Sequence, residues 1–461
     1  MSSTDFDSLR HGSKRSQSEL LTPAQQLQRF LEIPVVTLIG LTVLFLATFG
    51  MAIDLSVDNE KVGLDKQVLV KLVVLAGCGL YGVLGVLIDP KVRRVLTTLP
   101  VVWMGIILGF YLLAVPGSKT PIESLVSAAS IACVLLMTVT ALVQLGTPTV
   151  LATVFHAISA FVILSWATRF LMPEIGMFEE PIGHGEFKVR MSGMAHPNTL
   201  GQYAGLLIVI GVALAARYRQ VSVWRWGVIL LAAAALVSSL SRTSLLATMV
   251  ATAFVFRKKL LQRQYLFPAV CLLVIGTIGV MFASMWTDLG LYLESKLVML
   301  SKTGDAEELT SATGRVDIWA YAIHLISERP LTGYGAATSK FYLSEFSHYT
   351  HNLILNVAFS TGVIGGLAAI CMCFGRIVSL FRRYHLVADA LVVFILVNGL
   401  FENVIFSILA GMPTIVWTIA LCLPSLEPDT VDTELFDETD SDRRAESPTR
   451  LVASLPSRRP R

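Results

Sequence analysis

Apolar runs close to the length of a membrane span follow one another along most of this chain. They lie near residues 34–53, 67–88, 96–116, 123–145, 149–172, 198–216, 226–240, 243–256, 265–286, 353–375, 386–401 and 404–424. A helix needs roughly 20 apolar residues to cross a bilayer. Only 15% of the 461 residues are charged, against roughly 25% in an average soluble domain. The sequence therefore predicts an all-α, polytopic helical membrane protein with about 12 transmembrane helices.

Charge and cysteine usage exclude several classes of function. The formal net charge of +3 is too small to indicate binding to nucleic acid. All six cysteines fall in or beside apolar runs, so the pattern predicts neither a disulfide framework nor a metal site built on cysteine.

Basic residues cluster on alternate connections between the predicted spans. They are Lys91, Arg93 and Arg94, then Arg217, Arg219 and Arg225, then Arg257, Lys258, Lys259 and Arg263, then Arg376, Arg382 and Arg383. The positive-inside rule makes these connections cytoplasmic. Both termini are then inside, and residues 1–33 and 425–461, which are polar or charged, are predicted to be disordered cytoplasmic tails. The 287–352 loop, between spans nine and ten, is predicted to be periplasmic.

This long loop is the only extended hydrophilic insert between the apolar runs, and loops of this length are usually functional or disordered. After Gly314, the residues Arg315, Val316, Trp319, Ile323 and Ile326 predict a helix with Arg315 in its first turn and an apolar face that packs against the membrane domain. The segment 330–335 ends that helix with turn chemistry. His351 is the last polar group before span ten.

Two further polar segments are candidates for the same face. Residues 226–256 predict two short helices that meet at a polar turn carrying Ser241 and Arg242. A guanidinium there either lines a cavity or anchors at the membrane interface. Pro197 predicts the start of the sixth span. Arg190 and Asn198 could bind an oxyanion or a sugar hydroxyl near that helix start, and a cap-and-turn role explains Asn198 equally well.

Taken in order, these segments resemble the O-antigen ligase family, which also includes O-antigen and exopolysaccharide polymerases. The resemblance covers residues 190–366. It is carried by Arg190-x-x-Gly193, Pro197-Asn198-x-Leu200-Gly201, Ser241-Arg242-Thr243, Gly314-Arg315 with Trp319, Pro330-Leu331-Thr332-Gly333-Tyr334-Gly335, and His351-Asn352 ahead of Thr361-Gly362-x-x-Gly365-Gly366.

The resemblance implies that residues 34–424 form a transmembrane glycosyltransferase domain. It implies inverting, metal-independent transfer of a glycan, without a cofactor, from an undecaprenyl-pyrophosphate-linked donor to a hydroxyl acceptor. The acceptor would be a lipid A core or a second lipid-linked glycan, at the periplasmic face of the bacterial inner membrane. His351 matches the family's catalytic histidine, and Arg242 and Arg315 match the arginines that hold the pyrophosphate. Arg190 is a third candidate contact. The predicted supporting residues are Asn198, Ser241, Gly314, Tyr334 and Asn352.

Several alternatives stay open at this point. His348 is a rival base to His351, and the sequence does not separate a ligase from a polymerase. A metal-dependent lipid-linked sugar transferase would use carboxylates such as Asp58 and Glu60. A transporter of polysaccharide or lipid-linked sugar would need ionisable groups in the membrane, for which Asp389 and Glu402 are the candidates.

Overall fold

The structure is a computed structural model that describes residues 35–40, 42, 66–183, 186–218, 222–257, 307–344, 349–382, 385–407 and 409–427. Both predicted tails, the span near 265–286 and most of the span near 34–53 lie outside these residues. So do Asp58, Glu60 and His348.

Helices make up most of the described chain, in the order α1 (Lys66–Ile88), α2 (Pro90–Leu96), α3 (Leu99–Ala114), α4 (Pro121–Leu145), α5 (Thr147–Leu171), α6 (Pro173–Gly176), α7 (Pro197–Tyr218), α8 (Val223–Ser238), α9 (Arg242–Val255), α10 (Glu307–Glu328), α11 (Ser339–Tyr342), α12 (Leu353–Arg382), α13 (Leu386–Gly399) and α14 (Met412–Leu426). A 3-10 turn covers Val115–Gly117, and residues 35–40 are also helical. Two strands, β1 (Met177–Gly183) and β2 (Glu186–Met191), form an antiparallel hairpin between α6 and α7.

Among the described residues, six helices are long and apolar enough to cross a membrane, judged by length and composition. They are α1 from Val70, α3 with the 3-10 turn, α4, α5, α7 and α12. The prediction of a helical, multi-pass membrane protein is thereby confirmed. The count of twelve spans and the position of the long loop stay predictions. The helices α8, α9, α13 and α14 are apolar but have only 14 to 16 residues.

Two helical hairpins define the two ends of the bundle. The helices α8 and α9 meet at residues 239–241, as the sequence predicts. Between α13 and α14, residues 400–407 and 409–411 are non-helical. We call the end of the bundle that carries these two connections the site end. The other end carries Arg217 in the last turn of α7, Arg257 after α9 and Arg376 in α12, and we call it the basic end.

The helix α14 begins at Met412, so the predicted start of the last span near residue 404 is wrong. Pro413 is the second residue of α14. Its ring would clash with the carbonyl group four residues earlier if the helix continued backwards, so the helix begins here. Residues 400–407 and 409–411 are consequently left as irregular backbone, and polar side chains such as Glu402 become available to the site end.

The position of Arg315 in its helix also differs from the prediction. The helix α10 begins at Glu307, so Arg315 lies in its interior and not in its first turn. Gly314 is accommodated inside the helix, which typically costs about 1 kcal/mol relative to alanine. The buried face is also rotated from the predicted one: Ile318, Ala322 and Leu325 are buried together with Ile326, whereas Ile323 is 55% exposed.

The β-hairpin is a feature that the all-α prediction missed. Its register places Phe178 opposite Arg190 and Glu180 opposite Lys188. Alternating apolar and charged residues in β2, from Phe187 to Arg190, are the pattern of a short strand. The hairpin follows α6 at the end of α5, and it presents Arg190 to the start of α7.

The segment 330–335 forms backbone hydrogen bonds with α12 at a point where that helix is interrupted. Gly362 has a φ of 81°, which interrupts the helix. The backbone N–H groups of Tyr334 and Gly335 donate to the carbonyl oxygens of Phe359 and Ser360 at 2.9 Å, and Val363 donates to Pro330 at 2.7 Å. These bonds satisfy backbone groups that the interrupted helix leaves unpaired. The turn predicted at 330–335 is confirmed, since Gly333 and Gly335 both have positive φ.

Candidate active site

The carboxylate of Glu402 is where three of the predicted site residues meet. Asn198 Nδ2 donates to Oε1 of Glu402 at 3.2 Å, and Arg315 Nη2 lies 3.3 Å from the same oxygen. His351 Nδ1 lies 3.3 Å from Oε2. The side chains of Arg315, His351 and Glu402 are each about one-fifth to one-quarter exposed. Residues from α7, from α10 and from the start of α12 are therefore brought together by one acidic group.

His351 is held in an unusual backbone conformation. Its φ is 49°, in the left-handed region that a residue with a Cβ atom seldom occupies. On one side of it, Trp319 Nε1 donates to the carbonyl oxygen of Thr350 at 2.9 Å. On the other side, Asn352 fixes the chain. Strain of this kind persists where the surroundings over-determine it, and it is concentrated at functional sites.

Asn352 caps the start of α12. Its Oδ1 accepts hydrogen bonds from the backbone N–H groups of Ile354 and Leu355 at 3.0 Å. Its Nδ2 donates to the carbonyl oxygen of Leu400 at 3.1 Å. One side chain thus fixes the helix start next to His351 and ties it to the segment that carries Glu402. These contacts fit the predicted role of Asn352 as a residue that supports His351.

Arg190 connects three elements around the site. Its Nε donates to the carbonyl oxygen of Ser239 at 2.9 Å, its Nη1 pairs with Glu180 at 2.8 Å, and its Nη2 donates to Asn198 Oδ1 at 2.6 Å. The residue is 7% exposed. Arg190 therefore braces the hairpin, α7 and the 239–241 turn, and its predicted contact with phosphate stays a prediction.

Arg242 is the first residue of α9 and its side chain is exposed. The turn before it contains Leu240 with a φ of 53°, and Ser241 Oγ donates to Ser244 Oγ at 2.9 Å. Gly201 of α7 lies against this turn, where an added Cβ atom would stand 2.5 Å from Ser241 Cβ. Arg242 therefore lies at the site end, on a turn that Arg190 joins to the Asn198–Glu402 contact.

Tyr334 contributes to packing. It is 2% exposed, stacks on Phe359 with ring centroids 5.0 Å apart, and donates to Glu328 at 2.9 Å. Burial and the neighbouring Glu328 carboxylate raise the pKa of Tyr334 to about 12. The phenol therefore stays protonated and keeps α10 joined to the break in α12.

Within the described residues, no three His, Cys, Asp or Glu side chains are grouped so that they could hold a metal ion. Asp58 and Glu60 fall outside those residues. The metal-dependent alternative thus stays a prediction.

Comparison with known proteins gives a family match for one segment of the chain. Residues 227–370 match the family model described as O-antigen ligase. The predicted resemblance to the O-antigen ligase family is confirmed for this segment. No curated protein sequence matches the chain significantly.

The O-antigen ligase segment contains Arg242, Arg315 and His351, together with the supporting residues Ser241, Gly314, Tyr334 and Asn352. Arg190, Asn198 and Glu402 lie outside it. The site end is therefore completed by the β-hairpin, the start of α7 and the connection before α14.

Glu402 is the site residue that sequence reasoning missed. The sequence indicates it only as a candidate coupling group for a transporter. It follows His351 by 51 positions, so spacing along the chain does not connect the two. The available signal was chemical: an ionisable residue beside apolar spans is a functional candidate by default. Its partners could be identified only from the folded chain.

The arrangement has the groups that acid–base transfer needs. If Nδ1 of His351 carries the proton, the Glu402 carboxylate accepts a hydrogen bond from it, and Nε2 then carries the accepting lone pair. The same carboxylate stabilises the imidazolium that forms once Nε2 takes a proton. Arg315 has five N–H donors, so it can hold Glu402 and an anionic group together.

Proposed function

We propose that this protein is a membrane glycosyltransferase of the O-antigen ligase or polymerase type. It transfers a glycan from an undecaprenyl-pyrophosphate-linked donor to a hydroxyl acceptor, with inversion and without a metal ion. The observation that carries the proposal is the convergence of Arg315 and His351 on Glu402, with two of these three residues inside the matched family segment.

His351 acts as the general base in this proposal. Its Nε2 takes the proton of the acceptor hydroxyl, and the oxygen attacks the donor sugar at its anomeric carbon. The bond from that carbon to the pyrophosphate oxygen breaks on the opposite face, so the configuration inverts and undecaprenyl pyrophosphate leaves with the bonding electrons. The proton stays on the imidazole, where the Glu402 carboxylate stabilises it.

Arg315 and Arg242 bind the leaving group. Negative charge grows on the pyrophosphate as the sugar–oxygen bond breaks. Guanidinium groups are always ionised and match phosphate oxygens with two parallel hydrogen bonds. Such contacts strengthen in the transition state, which is the requirement for catalysis.

The charge distribution supports the proposed orientation in the membrane. The basic end carries Arg217, Arg257, Arg376 and Arg382. The positive-inside rule makes this end cytoplasmic and the site end periplasmic. A donor anchored in the outer leaflet of the bacterial inner membrane would reach the site end there. The acceptor is either a lipid A core or a second lipid-linked glycan.

A reconstituted assay tests the proposed activity. The full chain in lipid nanodiscs would be supplied with an undecaprenyl-pyrophosphate-linked glycan and each acceptor class in turn. We expect glycosylated acceptor and undecaprenyl pyrophosphate in equal amounts, undiminished by EDTA. Loss of activity with EDTA would support the metal-dependent alternative. Counterflow of lipid-linked sugar without any product would support transport.

Gene deletion separates the two acceptor classes. Loss of a ligase leaves full-length polymer on its lipid carrier. Loss of a polymerase leaves single repeats on that carrier. Normal surface glycan and normal lipid-linked pools in the deletion strain would contradict both versions of the proposal.

A further inference from the structure

The helices α9 and α13 each present one residue of the candidate site. Arg242 is the first residue of α9, and Glu402 follows the last residue of α13 by three positions. The two helices pack against each other and run in opposite directions, because α9 leaves the site end while α13 returns to it. If α9 slid along α13, the position of Arg242 relative to Glu402 along the helix axes would change.

At the basic end, a buried ion pair joins these two helices. Arg257 Nη2 lies 2.5 Å from Asp389 Oδ2, and the two side chains are 8% and 1% exposed. The backbone N–H of His385 also donates to Asp389 Oδ2, at 2.9 Å. Asp389 therefore has a fixed position at the start of α13, and Arg257 is bound to it from the end of α9.

At the site end, the polar contact between α9 and α13 is weaker. Asn398 Nδ2 donates to Ser244 Oγ at 3.3 Å, between two uncharged groups. Most other buried residues of α13, such as Val392 and Ile395, are apolar. Apolar contacts are non-directional, so they stabilise the pairing of two helices more than its register. Buried polar and ionic groups are best known for specifying register.

We propose that Arg257 and Asp389 are positioning residues that set the register of α9 against α13 from the end opposite the site. The Arg257–Asp389 ion pair lies about 20 Å from the site end, at the other end of these 14-residue helices. From there it fixes the position of Arg242 relative to Glu402 along the helix axes. The inference rests on the proposed function for the roles of Arg242 and Glu402. The effect on helix register does not depend on that function.

A third buried charge at the basic end determines whether Arg257 or Asp389 should be replaced to test the register. Arg376 of α12 is 3% exposed, and its Nε and Nη2 atoms have no hydrogen-bond partner. Its charge interacts with the Asp389 carboxylate. Loss of Asp389 would leave two buried cations without their anion, which is strongly destabilising. Loss of Arg257 leaves one cation and one anion, so Arg257→Met breaks the connection between α9 and α13 while the buried charges stay balanced.

Spin labels measure the register directly. The labels would be placed on Leu245 and Leu400, which are 40% and 37% exposed at the site end, in a chain whose six native cysteines are replaced. We expect the label distance in Arg257→Met to shift or broaden by about 1.5 Å for each residue of slip. Arg257→Lys keeps the ion pair and should keep the original distance. Arg217→Met, which removes the pair between α7 and Glu427, is the matched control and should also leave it unchanged.

Kinetics provide the second measurement. A displacement of about 1 Å in a site can cost on the order of 10²-fold in rate. We expect Arg257→Met to lower kcat/KM by that order, mainly through the KM for the donor, with little change in the KM for the acceptor. Unchanged label distance and unchanged donor KM would overturn the proposal. A shifted distance in a protein without transferase activity would support the register role and contradict the proposed function.

If Arg257→Met does not fold, a triple variant provides the test. Replacing Arg257, Asp389 and Arg376 together by Met, Leu and Met removes all three buried charges. Replacements of this kind typically preserve or raise stability. The register proposal expects this variant to fold and to show the same shift of the label distance. A folded triple variant with the original distance would overturn it.

Discussion

The Nδ1 atom of His351 lies 3.3 Å from the Oε2 atom of Glu402. The two residues come from different segments, and Asn352 joins those segments by donating to the carbonyl oxygen of Leu400. With a proton on Nδ1, the imidazole donates to this carboxylate, and the accepting lone pair lies on Nε2. Replacing either of these two side chains should therefore lower the rate of transfer.

Replacing His351 with alanine removes the proposed base. We expect the transfer rate to fall by about 10²- to 10⁴-fold, the usual contribution of a positioned base, while donor binding is retained. His324→Ala is the matched control, because His324 is 64% exposed in α10 and should not matter. Rates with both acceptor classes provide the test. Normal activity in His351→Ala with loss of activity in His348→Ala would transfer the role to His348.

Replacing Glu402 with glutamine keeps the shape of the side chain and removes its charge. A hydrogen bond to a charged group contributes about 1.5–3 kcal/mol, so we expect kcat to fall by about 10- to 100-fold. Measurement of kcat, together with the KM values for donor and acceptor, provides the test. An unchanged kcat in Glu402→Gln would contradict the role of Glu402.

Replacing Arg315 or Arg242 with lysine keeps the charge and loses the planar fork. We expect the KM for the donor to rise by about 10- to 100-fold in each variant, since a bidentate phosphate contact becomes a single one. Arg329→Lys is the control. Its guanidinium donates to Gly117 and stacks over Tyr334, so the donor KM should not change. A larger effect on the acceptor KM than on the donor KM would argue against pyrophosphate binding.

Replacing Gly362 with alanine tests the break in α12. The residue has a φ of 81°, and a Cβ atom there would lie 2.5 Å from the carbonyl oxygen of Pro330. Backbone strain alone costs about 1–3 kcal/mol, so we expect a lower melting temperature in detergent. Gly375→Ala lies in the same helix with nothing within 4 Å, and it should be neutral or stabilising. Equal melting temperatures for the two variants would exclude a strained break.

The pH dependence of stability tests the contacts of Glu427 at the basic end. His385, with Arg217 and Thr147, lowers the pKa of Glu427 from 4.5 to about 2. A lowered folded-state pKa stabilises the protein fully above the unfolded value. We therefore expect stability to fall as the pH drops from about 4.5 towards 2. Glu427→Gln should lose this part of the pH dependence. Identical melting profiles for the variant and the original protein over that range would contradict it.

The sequence predicted the helices well where apolar length and prolines define them. The start of α7 at Pro197 and the paired helices α8 and α9 are examples. The sequence-based prediction failed where tertiary packing decides the structure. A glycine such as Gly314 usually interrupts a helix, so the sequence predicts Arg315 in a first turn. Packing of α10 overrides that local preference. The start of α14 was misplaced because residues 404–411 are apolar enough to resemble a span.

The site could be predicted only in part for a related reason. Motif order identified His351, Arg315 and Asn198, which the structure brings to one carboxylate. It could not identify Glu402, whose relation to His351 exists only after α12 and α13 have packed. It also could not predict that Arg190 uses three of its nitrogen atoms to join the hairpin, α7 and the 239–241 turn.

The shortness of α8, α9, α13 and α14 has a consequence for how substrates arrive. Helices of 14 to 16 residues are about 21–24 Å long, whereas the hydrocarbon layer is about 30 Å thick. In the proposed orientation, with the basic ends at the cytoplasmic surface, the joined ends of these helices lie below the outer surface of that layer. The proposed transfer then takes place in a dimple of the bilayer. The proposed lipid-linked donor can enter sideways there, and its polyprenyl chain stays in the lipid.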